Sequence, residues 1–132
     1  MKMNLHRKVF LIPVIVGTIL SFLENTSAQT KTNYIRIARI VVDSTKLESY
    51  RAALKEEIET SVRVEAGVLS LNAVYDKEHP SYVTVFEIYA DMDGYKAHIQ
   101  TPHFKKYKTA VDGMVKSLVL TDVMPIALHS KK

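Results

Sequence analysis

Hydrophobic positions change period along this chain, and the changes divide it into elements. From Tyr34 to Asp43 apolar residues alternate. Ile35, Ile37 and Val41 fall on one face and Tyr34, Ala38, Ile40 and Val42 on the other, which predicts a strand. Both faces are largely apolar, so both should be covered. From Thr45 to about Glu65 the period lengthens. Leu47, Tyr50, Leu54, Ile58, Val62 and Glu65 recur at three- and four-residue steps, the single stripe of an amphipathic helix. Asp43-Ser44-Thr45 marks its start, with Thr45 and Glu48 at capping-box spacing, and Gly67 marks its stop. Alternation returns over Val68 to Asp76, where Leu69, Leu71, Ala73 and Tyr75 oppose Val68, Ser70, Asn72 and Val74. The segment from Asp76 to Ser81 is rich in turn residues. Beyond it, Tyr82 to Tyr89 is almost wholly β-branched or aromatic and reads as the returning strand of a hairpin.

Asp91 then reads as the N-cap of a short helix reaching about Gln100. Thr101-Pro102 starts another, with Thr as cap and Pro at the first helical position, where its missing N–H costs nothing. Phe104, Tyr107, Val111, Met114 and Leu118 form the stripe of this last helix. A fourth strand lies within Val115 to Leu128, with Pro125 suggesting an edge or a bulge. The order β-α-β-β-α-β predicts an α+β ferredoxin-like sandwich. No internal repeat or low-complexity tract interrupts it.

The first residues do not join this pattern. Lys2, His6, Arg7 and Lys8 precede an apolar run from Val9 to Leu23, and Thr26-Ser27-Ala28 offers small residues for cleavage. That order predicts a signal peptide over residues 1–28, hence export to the periplasm or the exterior and no stable membrane association afterwards. Residues 29–33 read as a flexible lead-in and 34–128 as the domain. The 132-residue chain has 18 basic and 14 acidic side chains. Without Lys2, Arg7, Lys8 and Glu24 the balance is 15 to 13, so much of the basic character belongs to the leader. Lys105, Lys106 and Lys108 make a small patch, read as a solvated helix face rather than a nucleic-acid footprint. The chain lacks cysteine, which removes thiol nucleophiles, disulfides, thiolate metal sites and a lipoprotein anchor together. Stability must then come from the core and, in a chain this small, from a second copy over the sheet face left bare by the helices.

Candidate chemistry gathers where the third strand runs into the two short helices. Glu87 shares a strand face with Val83, Val85 and Tyr89. A carboxylate there needs partners or its pKa rises. It is a candidate base, or the group that orients His98; it also reads as a structural hydrogen-bond acceptor. His98 ends one helix and His103 opens the next, so helix dipoles push the two imidazoles in opposite directions. Both could equally be structural. Tyr89 and Phe104 could wall a pocket for a planar ligand, or simply fill the core. His98 and His103 stand five apart across a Pro-started junction, which is not metal-ligand spacing, and no Gly-rich phosphate loop follows any strand.

Glu87-Ile88-Tyr89 followed by Ala97-His98-Ile99-Gln100-Thr101-Pro102-His103-Phe104 resembles the antibiotic biosynthesis monooxygenase family, including its quinol monooxygenases. Glu65-Ala66-Gly67-Val68-Leu69 resembles the family's E-P-G-C-L segment, with Ala and Val at two positions. The resemblance spans roughly Tyr34 to Leu128. It implies two such sheets packed into a dimeric α+β barrel. It also implies an exported, cofactor-independent monooxygenase acting with dioxygen on a small aromatic such as a quinol or polyphenol. His98 and Glu87 would then be catalytic, with Tyr89, His103 and Phe104 binding substrate, and neither metal nor cofactor needed. A non-catalytic ligand-binding or stress-response dimer is the alternative. Haem degradation, which some relatives perform with an Asn, a Trp and a His, fits less well: Tyr89 stands at the Trp position and the first strand has no Asn.

Overall fold

The computed structural model describes residues 32–131; the predicted leader and most of the lead-in lie outside the described residues. Strand β1 (Tyr34–Val42) is followed by a 3-10 turn (Ser44–Lys46) and helix α1 (Leu47–Val64). Strands β2 (Val68–Tyr75) and β3 (Tyr82–Tyr89) form the hairpin. Helices α2 (Met92–His98) and α3 (Pro102–Ala110) lead into β4 (Val115–Val123). The sheet is antiparallel in the order β2-β3-β1-β4. This is the predicted ferredoxin-like α+β fold.

Register sets out rows on the face under the helices. Tyr75, Val83, Ile40 and Leu118 form one, Ala73, Val85, Ala38 and Leu120 the next, and Leu71, Glu87, Arg36 and Asp122 a third. Ala38, Ile40, Val42, Val83 and Val85 pack against Tyr50 and Leu54 of α1 and Tyr107 of α3. A smaller cluster joins Val68, Leu71 and Tyr89 to Tyr95 of α2 and Ile58. All three helices therefore lie on one face. The other carries Ile37, Val41, Phe86, Ile88 and Val119, with no helix upon it among the described residues.

The structure departs from the sequence pattern at four places. The expected capping box is not formed: Asp43 accepts from the Thr45 amide at 2.9 Å and from its hydroxyl at 2.7 Å. That hydroxyl is therefore committed to Asp43, and Lys46, at the N-cap of α1, makes no side-chain cap bond. The buried side of α1 is Tyr50, Leu54, Glu57 and Ser61, while Val62 is 45% exposed. The stripe can run through Glu57 and Ser61 because they satisfy each other: the Ser61 hydroxyl donates to Glu57 Oε1 at 2.7 Å. In β2 a register shift between Val68 and Ser70 puts Val68 and Leu71 on the same side and leaves Leu69 exposed. Finally, α3 ends at Ala110. Gly113, at φ 73°, turns the chain, so Val111 and Met114 pack from that turn and Leu118 belongs to β4.

Candidate functional site

A cavity of about 160 Å³ lies between the three helices and the sheet. Its floor is Arg36, Ala38, Val85 and Glu87; its roof is Leu54, Glu57, His98 and Tyr107. Local backbone chemistry sets the roof. Asp91 caps α2 by accepting from the Gly94 amide at 2.8 Å. Thr101 Oγ1 accepts from the Phe104 amide at 3.2 Å and donates to the His98 carbonyl at 2.8 Å, tying α2 to α3. Both caps are as predicted.

Two glycines decide how closely α2 approaches the end of α1. A Cβ on Gly67 would meet Gly94 Cα at 2.8 Å, and one on Gly94 would meet the Gly67 carbonyl at 2.8 Å. The Gly67 carbonyl also accepts from the Ala90 amide at 2.9 Å. Backbone contact of this kind brings His98 against Glu65, the C-cap residue of α1.

The polar groups then form a chain. His98 is 3% exposed. Its Nδ1 lies 3.0 Å from Glu65 Oε1, and His103 Nε2 approaches the same oxygen at 2.5 Å. On its other side, His98 Nε2 stands 3.5 Å from Glu57 Oε1. Burial raises the Glu65 carboxyl, but hydrogen bonds to His103 and His98 outweigh it and hold the group below the usual carboxylate range. An ionised Glu65 only accepts, so both rings donate to it. A neutral His98 thus carries its proton on Nδ1 and aims the Nε2 lone pair at Glu57. Glu57 is shifted the other way: burial pushes its carboxyl up, against the Ser61 hydrogen bond and the nearby His98. The His98 ring is bracketed by Tyr89 and Phe104, with centroids 5.5 and 4.9 Å away.

Glu87 does not orient His98. Its partner is the Tyr89 hydroxyl, which donates to Oε2 at 3.0 Å. The two project from one strand face two residues apart, whereas the glycine contact delivers His98 to α1 instead. Burial raises the Glu87 carboxyl despite that bond and the Arg36 charge beside it. It also raises the Tyr89 and Tyr107 phenols, helped by Glu87 and by Tyr50 respectively, so both stay protonated. Of the residues singled out in the sequence, His98, Glu87, Tyr89 and Phe104 line the cavity together. His103 does not; it lines a smaller recess beside Ala53 and Glu56 that shares Glu57 and Tyr107 with the cavity, and it is bonded to Glu65.

Sequence reasoning missed Glu57 as a site residue and took Glu65 for the end of an apolar stripe. The signal for Glu57 was present: it lies three residues after Leu54 and four before Ser61, on the Tyr50–Leu54 line. Among the described residues no group of three or more His, Cys, Asp or Glu side chains is arranged to hold a metal ion.

No curated protein matches the sequence. Solved structures do. A candidate antibiotic biosynthesis monooxygenase of Bacteroides thetaiotaomicron is 52% identical, with a TM-score of 0.73 over 76% of this chain and 96% of that one. A candidate monooxygenase of Lactobacillus acidophilus is 30% identical, with a TM-score of 0.69 over 72% of this chain and 47% of that one. A Nitrosomonas europaea protein shares the fold at 20% identity and a TM-score of 0.67, over 71% of this chain and 99% of that one. The family match itself covers residues 33–110, which takes in β1 to β3, all three helices and every member of the Glu57–His98–Glu65–His103 chain, and stops before β4. By sequence and by fold, the chain belongs to the antibiotic biosynthesis monooxygenase family.

Proposed function

We propose that this protein is an exported, cofactor-independent monooxygenase that oxidises a hydroxylated aromatic, with Glu57 as the base and His98 behind it. The observation that carries this reading is the buried alignment of Glu57, His98 and Glu65 at the cavity wall. Both ring nitrogens of His98 face carboxylates, so the group left to meet a substrate hydroxyl is Glu57. A carboxyl with a raised pKa suits a base working near neutrality. The hydroxyl O–H breaks as Glu57 takes the proton. His98 Nε2 can then receive it once the 3.5 Å contact tightens on binding, giving an imidazolium between two carboxylates. The phenols of Tyr89 and Tyr107, kept protonated by burial, are nearby donors for developing charge.

The aromatic anion left behind is electron-rich enough to reduce dioxygen itself. A quinol and dioxygen give a hydroxyquinone and water, with all four electrons that reduce dioxygen drawn from the substrate. Neither flavin nor metal is needed for that balance. The test is oxygen uptake by the metal-free purified protein across a quinol panel, against anaerobic controls. Consumption that depends on Glu57 is expected; none across the panel overturns the reading. Tyr75 lies outside the cavity, beneath Arg51, so the space is not filled by aromatics as a purely structural core would have it.

Two further parts of the proposal concern state and place. The bare sheet face, with Ile37, Phe86 and Val119, is the surface a second copy would cover. Light scattering should return a dimer at micromolar concentration, and a monomer counts against the barrel. The order of basic, apolar and small residues over 1–28 supports export. A mature N-terminus near Gln29 is expected by mass spectrometry, and an intact Met1 overturns it.

A further inference from the structure

The lining of the cavity is polarised, and the polarity points to a substrate class. Among the lining residues only Lys108, Leu118 and Leu120 are solvent-exposed, so they mark the mouth, between α3 and β4. The inner end holds Glu57 and Glu87, both pushed by burial toward their neutral forms, with the phenols of Tyr89 and Tyr107. Inner and outer ends therefore want opposite things. The inner end hydrogen-bonds a hydroxyl and disfavours a resident carboxylate, which would sit against Glu57 whenever that group is ionised to act as base. The outer end offers a cation.

The two cations that line the cavity differ in how far they are committed. Arg36, on the floor, donates Nε to Asp122 at 2.9 Å and Nη2 to the Tyr34 hydroxyl, and its guanidinium stacks 4.3 Å over Tyr95. Lys106, one turn-face away on α3, pairs with Glu56. Lys108 has no carboxylate partner among the described residues. The volume adds a second constraint. About 160 Å³ is close to the roughly 150 Å³ of an engineered apolar cavity that takes one benzene ring.

We propose that the cavity takes a single aromatic ring with a hydroxyl at its inner end and a carboxylate at its outer end, and that Lys108 selects the carboxylate. This rests on the reading of the cavity as a substrate site. The ring would lie on Ala38, Val85 and Leu120, its hydroxyl toward Glu57, and its carboxylate beside the Lys108 ammonium at the mouth. A fused second ring has no enclosed volume left and must lie outside on Leu118.

Anaerobic calorimetric titration of the purified protein with three probes tests this: 2,5-dihydroxybenzoate, hydroquinone and 1,4-dihydroxynaphthalene. The dihydroxybenzoate is expected to bind about twofold to fivefold more tightly than hydroquinone, the upper part of the range for an exposed ion pair. That preference should shrink with added salt. Lys108→Ala should abolish it, Lys108→Glu should invert it, and Lys108→Arg should retain it, with hydroquinone binding unchanged in all three. Equal affinity for the two single-ring probes, a preference that survives Lys108→Glu, tighter binding of the naphthalene than of hydroquinone, or no binding by any probe overturns the proposal. Oxygen uptake separates it from the reading it rests on. Selective binding without oxygen consumption removes the monooxygenase and leaves the substrate class, whereas oxygen consumption that is indifferent to Lys108 does the reverse.

Discussion

The two ends of α1 do opposite jobs on one stripe. Its first half lays Tyr50 and Leu54 on Ile40, Val42 and Val83, an apolar contact that a ferredoxin-like fold needs. Its second half lays Glu57 and Ser61 toward His98 along the same line. Nothing in the fold demands carboxylates there. An apolar side chain of similar volume would pack as well and spare the cost of burying a charge. On the proposed reading one end is scaffold and the other a site whose polar groups are held at the expense of stability. Substitutions at the two ends should therefore separate activity from folding.

Glu57→Gln carries the largest expected effect. It keeps an acceptor for Ser61 but removes the base, so turnover on any quinol the wild type consumes should fall by about 10²–10⁴-fold. Folding should move the other way. The folded pKa of Glu57 lies above its unfolded value, so the folded protein holds that proton more tightly. Stability is then lost as pH rises from the ordinary carboxylate range through the raised folded value. Glu57→Gln should match the wild type in acid and melt higher at neutral pH. A variant that melts lower at neutral pH would return Glu57 to the scaffold.

Val42→Ala probes the other end. Val42 is buried and lines no part of the cavity. Removing two methyl groups and leaving the void should cost about 2 kcal/mol, read from the denaturant midpoint, with kcat per folded molecule unchanged. Gly94→Ala lies between the two ends in kind. Its Cβ would press on the Gly67 carbonyl, so α2 must withdraw, at a cost of about 1–3 kcal/mol. Withdrawal also parts His98 from Glu65, so of these three variants it is the one that should lose stability and turnover together.

The same contrast explains what could be read from the sequence. Strand β3 was predicted with its observed limits because alternation of β-branched and aromatic residues has one structural reading. The caps at Asp91 and Thr101 were legible because they act within one turn. The polar end of α1 was not. Val62 was assigned to the buried stripe because hydropathy favours it, yet Ser61 takes that place, since a hydroxyl paired to Glu57 can be buried as readily as a valine. Glu65 and His98 stand 33 residues apart and meet only because Gly67 and Gly94 touch. No local pattern encodes that meeting. Pairing His98 with Glu87, by contrast, followed from their nearness in sequence, and nearness in sequence misled.

The smallest effects, and the sharpest for this comparison, come from two double-mutant cycles on His98. The first pairs His98→Gln with Glu65→Gln, the second His98→Gln with Glu87→Gln. Residues in one hydrogen-bonded network couple by about 0.5–3 kcal/mol, whereas residues that share no partner add to within about 0.5 kcal/mol. His98 donates directly to Glu65, and that carboxylate also serves His103. Losing either His98 or Glu65 breaks the same bond, so the second loss should cost less than the first, in both melting temperature and turnover. Glu87 is bonded to Tyr89, whose ring also packs on His98, so it meets His98 only at one remove. Its cycle should show a smaller coupling in stability than the Glu65 cycle. A pH axis adds a sign to the first cycle. Glu65 has a lowered folded pKa, so its stabilisation is present above the unfolded carboxylate value and is lost as pH falls through the folded one. The Glu65–His98 coupling should therefore fade in acid, while the Glu87–His98 term has little to lose. Strong coupling to Glu87 and none to Glu65 would mean that His98 belongs to the sheet and not to the end of α1, and the division of that helix into scaffold and site would fail with it.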